Sequence, residues 1–502
     1  MITSTIVPDS NLSREGRHTT ATLRDTRKRT NLDQAKKNRD LNHCSLVELT
    51  RDSVYKKCTG YGKAGMFTHY FNLGMRSLSR NLAITSLMIL LIAVGVAGST
   101  TTYALLSVLS ANPLPLKSNQ LFVPQIDNRG PNRIITGGEP DPELTFHDVV
   151  ALRANKEPTG QAAIYPIYLS SVPADTAIQP FAARGYAVTA DFFRMFLAPF
   201  EYGGVWSKAD DDDGNNAVVI GKDLNQKLFH GENSVGRDLP LDGHVYRIAG
   251  VMKQWNPLPR FYAAADVQAF DLPPQIFLPF RRAVDLRIPT AGSTFCALDY
   301  QGKGWDDLVG SECTWISLWV ELPDATAVGR YAAFLLAYAE EQKANGRFNW
   351  PAYTRLRDLD QWLKYLKIVP SEARISFIVA LGLLLVCTVN TVGLLLARFM
   401  RRGPDIGIRR ALGASRGAIY TQYLVEAAVI GLAGGLLGVL LTLCFIGNLN
   451  LVFEAKIART VHPDASIMAL AISLAVLVAL IAAAYPVWRA SRIQPAWQLK
   501  AG

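Results

Sequence analysis

The sequence predicts a membrane α-helical protein, with four transmembrane helices and a large α+β domain between the first and the second. Three observations carry this. Four stretches contain no charged residue, residues 81–116, 375–397, 427–453 and 465–488, and each is long enough to supply the roughly 20 apolar residues that cross the hydrocarbon core of a bilayer. Residues 117–370 mix charged, polar and apolar side chains as a globular domain does. Residues 398–416 hold six arginines against a single acid, Asp405. A short arginine-rich loop between two apolar runs stays on the cytoplasmic side, which orients everything else.

Composition agrees with this division. Of 502 residues, 49% are hydrophobic and 19% charged. The net charge of +10 is unevenly placed: residues 1–65 contain 13 basic and 7 acidic residues and supply +6, the remainder +4. A basic tail and positive-inside loops account for that charge, so no nucleic-acid partner is expected.

In chain order, residues 1–65 are a polar, basic segment with the composition of disorder and no secretory signal. Met66 is a plausible true start; a disordered cytoplasmic extension is the other reading. Residues 66–81 read as an amphipathic interfacial helix, with Phe67, Tyr70, Phe71, Gly74 and Leu78 on one face. Transmembrane helix 1 is expected at 82–110, ended by Pro113 and Pro115. The domain at 111–371 shows alternation at 315–322, where Ile316, Leu318, Val320 and Leu322 share a face. It also shows a hairpin signal, a turn at 241–244 followed by the apolar run 245–252. Pro323 and Asp324 open a helix with Val328, Tyr331, Leu335 and Tyr338 on its apolar side. At about 250 residues the domain is large enough for two subdomains.

Transmembrane helix 2 is expected at 372–398, a cytoplasmic loop at 399–419, helix 3 at 420–446, an outer loop at 447–465, helix 4 at 466–488 and a cytoplasmic tail at 489–502. An even number of spans puts both termini in the cytoplasm and residues 111–371 outside.

No Gly-x-x-x-x-Gly-Lys-Ser/Thr loop occurs, and no His-Glu-x-x-His. The acidic run 210–213 before Gly214 fails the calcium-loop pattern, because Ala209 and Ile220 would fall at ligand positions one and twelve. A solvated acidic loop is expected there. No catalytic constellation, metal site or directly bound cofactor is expected. Gly431 and Gly435, like Gly434 and Gly438, are four apart, a spacing that lets another helix approach closely. Glu426 is an ionisable residue inside the third apolar region, expected to snorkel or to pair with a loop arginine. Asn390 and Thr391 are expected to hydrogen-bond between helices. Cys44 and Cys58 lie in the basic tail, and Cys387 and Cys444 in apolar runs. Cys296 and Cys313 fall in the large domain, where either a disulfide or two free thiols fits.

The segment 405–415, followed by Glu426 and a glycine-rich third span, resembles the FtsX-like permeases of the MacB type of ABC transporter. Residues 76–81 resemble that family's approach to the first span, and 186–193 its Val-Ser-x-x-Phe segment. Residues 217–221, 231–236 and 242–251 resemble the core of its periplasmic domain, and 486–495 its closing tail. The resemblance covers about residues 66–502. It implies a periplasmic domain with a porter-like part and an inserted β-rich part, in the bacterial inner membrane. It also implies a dimer with a second permease copy or paralogue, and a separate ABC ATPase that holds ATP and magnesium. A membrane-fusion protein and an outer-membrane channel are further partners the family uses. In the family a short loop helix docks on the ATPase; carried over, Ile406, Ile408, Arg409, Arg410, Leu412 and Gly413 form that surface. The implied function is transmission of force to the periplasmic domain for export of a drug, peptide or lipid-linked molecule. Alternatives are activation of a periplasmic enzyme, lipoprotein extraction, or an ATPase-independent receptor.

Overall fold

In the computed structural model, residues 81–130, 138–173, 177–263, 269–296, 301–453 and 455–492 are described. The readings at 1–65, at 66–80 and at 493–502 lie outside them. The helices that position the site and cover the large domain are α1 (Leu82–Leu109), α2 (Phe146–Arg153), α3 (Ala325–Ala344), α4 (Leu359–Tyr365), α5 (Ser371–Arg401), α6 (Gly403–Ala411), α7 (Arg416–Gly447) and α8 (Ala465–Ser491). Four of these, α1, α5, α7 and α8, are long and apolar enough to cross a membrane. They pack on one another around Met88, Ile92, Leu395, Ile430, Ala475 and Ala482.

Between α1 and α5 the chain builds one ten-stranded sheet. Its strands are β1 (Leu121–Ile126), β2 (Gly160–Ser171), β3 (Phe181–Val188), β4 (Phe200–Gly203), β5 (Ala217–Ile220), β6 (Asp238–Leu241), β7 (His244–Met252), β8 (Ile276–Pro279), β9 (Ser317–Glu321) and β10 (Thr354–Asp358). The order is β10-β1-β9-β2-β3-β8-β5-β7-β4, with β6 on β7. Where size alone allowed two subdomains, two halves join edge to edge. β1–β3, β9 and β10 form one half and β4–β8 the other, and the seam is the parallel pair β3 and β8, with Gly185 opposite Ile276. A Cβ on Gly185 would lie 1.8 Å from the Ile276 carbonyl oxygen, so only glycine fits the seam.

Side chains alternate across the sheet and both faces are buried. On β9, Leu318 and Val320 enter one layer with Tyr165, Ile167, Tyr331 and Leu335. Trp319 enters the opposite layer with Phe192, Phe196, Tyr262 and Trp362. The expected alternation at 315–322 is therefore a strand, but one covered on both sides. Phe196 and Trp319 meet edge to face at 5.7 Å, the arrangement ring quadrupoles favour. The β6–β7 hairpin turns through Asp242 (φ 46°) and Gly243 (φ 78°), the two positive φ values of a type I′ turn. The helix opened by Asp324 is α3, whose first turn is capped by the Asp324 carboxylate accepting from the Ala327 N–H at 2.8 Å.

The acidic run is not a solvated loop. It forms a helical turn, Lys208–Asp213, with a Ser207–Asp210 capping box and Gly214 ending it at φ 65°. Asp211 is buried and accepts from the Trp206 indole at 2.9 Å. The Glu321 carboxylate accepts from Lys117 at 2.5 Å and from Arg194 at 2.6 Å. Burial would raise that carboxyl, but the two cations outweigh it and hold it below the usual carboxylate range. Cys296 and Cys313 are joined by a disulfide, beside the bridge that pairs Phe295 with Thr314.

Candidate functional site

The site is the helical elbow between the second and third membrane helices. α5 does not stop at the apolar boundary; it continues to Arg401. Arg398 therefore lies inside a helix, one turn before Arg402 and on the same side. In the sequence Arg398 heads the arginine-rich segment, yet only 1% of its side chain is exposed. Its guanidinium donates to the Thr85 hydroxyl on α1 at 2.7 Å and to the Glu426 carboxylate on α7 at 2.5 Å. Arg402 donates to both oxygens of the same carboxylate, at 3.3 and 3.2 Å. Glu426 pairs with arginine and does not snorkel. One carboxylate and two arginines thus tie α1, α5 and α7 together at the start of the elbow.

α6 comes next in the chain. Pro404 sits in its first turn, where no N–H is needed. Asp405 stands in that turn too, with Arg409 and Arg410 in the last, the placement the helix dipole favours. Gly413, at φ 98°, closes it: the Gly413 N–H donates to the Arg410 carbonyl and the Ala414 N–H to the Arg409 carbonyl. Ser415 then caps α7 by accepting from the Ala418 N–H.

The six residues expected to form one docking surface divide in two. Ile406 is 1% exposed and belongs to the core with Phe399, Tyr423 and Val487. It anchors the elbow and cannot be offered to a partner, because a helix of one apolar stripe must bury that stripe somewhere. Ile408 is 57% exposed and Leu412 83%. Arg409 and Gly413 are exposed too, and Arg410 is half-buried. Arg409 donates to the Gln422 side chain on α7 at 3.0 Å. Two large aliphatic side chains and an arginine thus project from a helix whose other side is fixed to the membrane core.

The glycines serve two partners. Gly431 and Gly435 face α8, where an added Cβ would sit 2.7 Å from the Ala479 Cβ and 3.0 Å from the Ile472 Cα. Gly434 and Gly438 face α1, against Ile92 and Ala93. The expected interhelical bonds at Asn390 and Thr391 are not those the structure makes. Thr391 donates to the Cys387 carbonyl of its own helix at 2.8 Å, and Asn390 is exposed. Polar links between helices come instead from Ser99 Oγ to the Ala380 carbonyl at 3.2 Å and from Thr100 with Thr442 at 2.9 Å. No group of three or more metal-ligating side chains occurs among the described residues.

Two family profiles match the chain. One, described as a MacB-like periplasmic core domain, covers residues 85–333; the other, an FtsX-like permease C-terminal region, covers 377–495. Among curated relatives, the pyoverdine export ATP-binding/permease protein PvdT of Pseudomonas aeruginosa is 24% identical over 61% of this chain and 40% of its own. The macrolide export ATP-binding/permease protein MacB of Syntrophobacter fumaroxidans is 22% identical over 62% of this chain and 46% of its own. The chain thus spans less than half the length of these two relatives. Among solved structures, the periplasmic region of MacB from Actinobacillus actinomycetemcomitans aligns at 11% identity and a TM-score of 0.33, covering 51% of this chain and 95% of that one.

Proposed function

The chain belongs to the FtsX-like permeases that carry a MacB-like periplasmic core domain, and from that premise we propose that it is the membrane subunit of an ABC transporter. An ATPase partner holding ATP and magnesium hydrolyses the nucleotide in the cytoplasm, and this chain converts the resulting movement into motion of its periplasmic domain. Both termini then lie in the bacterial cytoplasm, and two permease chains work as a pair. The cargo is an export substrate met on the periplasmic side, handed on through a membrane-fusion protein and an outer-membrane channel.

The observation that carries this reading is the elbow. Ile408, Arg409 and Leu412 project outward, while Ile406 and the Arg398–Glu426–Arg402 cluster fix the same segment to α1, α5 and α7. A push on the exposed side therefore reaches the two helices, α1 and α5, that flank the periplasmic domain in the chain. No channel-like row of polar groups is needed for such a device.

The test is a double variant, Arg409→Glu with Leu412→Asp, purified from the membrane with its ATPase. We expect insertion and folding to persist, co-purification of the ATPase to be lost, and ATP turnover of the complex to fall at least tenfold. If the variant still holds and stimulates the ATPase, the elbow is not the coupling surface. A periplasmic hydrolase co-purifying in place of an adaptor would replace export by regulation of that enzyme.

A further inference from the structure

Where the periplasmic domain meets the outer ends of the helices, a cleft of about 350 Å³ opens between Asp271–Pro273 and the segment joining α7 to α8. It shares Arg184, Asp271, Leu272 and Pro273 with an adjoining pocket of about 120 Å³ that Arg260 also lines. Arg260 is 6% exposed. It donates to the Tyr186 hydroxyl at 3.1 Å and to the Leu272 carbonyl, while its Nε has no hydrogen-bond partner among the described residues. Arg184 reaches Asp271 at 3.6 Å. Arg459, from the α7–α8 connection, is exposed on the other wall beside His462 and forms no ion pair among the described residues.

A buried guanidinium that is not matched by a carboxylate at contact distance is costly unless something else supplies the charge. Among the described residues, three arginines line the two adjoining cavities against two aspartates, Asp271 and Asp223. Among them one positive charge is left over. The remaining lining is apolar, from Leu258, Phe270 and Leu272. Leu258 and Phe270 also belong to the cluster that joins the domain to Leu105, Leu109, Ile446 and Val461 at the helix ends.

We propose that this cleft binds an anionic amphiphile, its phosphate or carboxylate held between Arg260, Arg184 and Arg459 and its apolar body lying on Leu258, Phe270 and Leu272. Two sources share that chemistry, an acidic membrane lipid of the outer leaflet and an acidic amphiphilic cargo. The site stands whether or not the chain couples to an ATPase.

The experiment uses the full chain in dodecyl maltoside, titrated calorimetrically with dodecyl phosphate below its micellar concentration. The neutral detergent shares its alkyl chain, so saturable binding reports the anionic head. A charge-assisted hydrogen bond contributes about 1.5–3 kcal/mol, so Arg260→Gln is expected to weaken binding by about tenfold or more. Because Arg260 is buried, Arg459→Gln, in an exposed connection, is the second variant and should weaken binding in the same sense with the fold intact. Native mass spectrometry separates the sources. Phosphatidylglycerol retained by the parent and lost in Arg459→Gln assigns a lipid site; dodecyl phosphate binding without retained phosphatidylglycerol assigns a cargo site. Absence of saturable binding, or equal binding by the parent and both variants, overturns the proposal.

Discussion

Arg398 is held inside the helix bundle by the Thr85 hydroxyl on α1 and the Glu426 carboxylate on α7. In the sequence it opens an arginine-rich segment at the end of a charge-free run, which is legible as topology. In the structure it is buried and shares Glu426 with Arg402. Glu426 was legible as an ionisable residue inside the third apolar region that either snorkels or pairs with a loop arginine. That the partner would be Arg398, and that Thr85 would complete the set, depends on three helices meeting, and a single segment does not encode that. Removing one member of a buried pair leaves an uncompensated charge and costs about 3–5 kcal/mol. Glu426→Leu is therefore expected to lower unfolding stability by that amount, measured by denaturation of the purified chain in detergent. Replacing the whole cluster, with Glu426→Leu, Arg398→Met and Arg402→Met together, should recover most of the loss while leaving coupling to ATP hydrolysis impaired. Full coupling in the apolar triple variant would show that the cluster contributes to stability alone.

At the scale of elements, α7 shows how much spacing predicts and where it stops. Two interleaved pairs of small residues announce close packing, but not which helix each pair meets. The structure assigns Gly431 and Gly435 to α8 and Gly434 and Gly438 to α1. The Cβ distances then rank the positions. At Gly431 a methyl would meet Ala479 Cβ at 2.7 Å and Val476 Cα at 2.9 Å, groups that cannot rotate away; at Gly438 the nearest atom is 3.5 Å distant, an ordinary contact. Gly431→Ala is expected to destabilise by about 1–3 kcal/mol, the usual cost of overpacking, and Gly438→Ala by much less. Thermal melting of both variants in the same detergent checks the order, and equal melting points would mean that α7 and α8 slide apart freely. The elbow divides in a similar way. Ile406 and Ile408 are equally apolar in the sequence, and only the meeting of α5, α7 and α8 decides that Ile406 turns inward.

For the whole molecule, four charge-free runs made the membrane architecture readable because the bilayer imposes one simple requirement on length and polarity. The sheet was much less readable. β1 pairs with β10, more than 200 residues away, and the two halves are joined by the parallel pair β3 and β8. Local patterns reveal strands and turns, but such long-range pairings are selected by the burial of both faces at once. The Cys296–Cys313 disulfide belongs to this scale because it links the fold to its compartment. The two residues are 17 apart in sequence, and a bridge closing a loop of that size stabilises by about 3 kcal/mol. Disulfides persist outside the reducing cytoplasm, so the chain taken from cells without reductant should resist maleimide labelling at both positions. Cys296→Ser with Cys313→Ser should melt at a lower temperature than the parent, and the difference should vanish when the parent is reduced. Labelling of both thiols before reduction would place this domain on the cytoplasmic side. That outcome would reverse the orientation read from the arginines at the elbow, since the domain and the elbow lie at opposite ends of the same helix, α5.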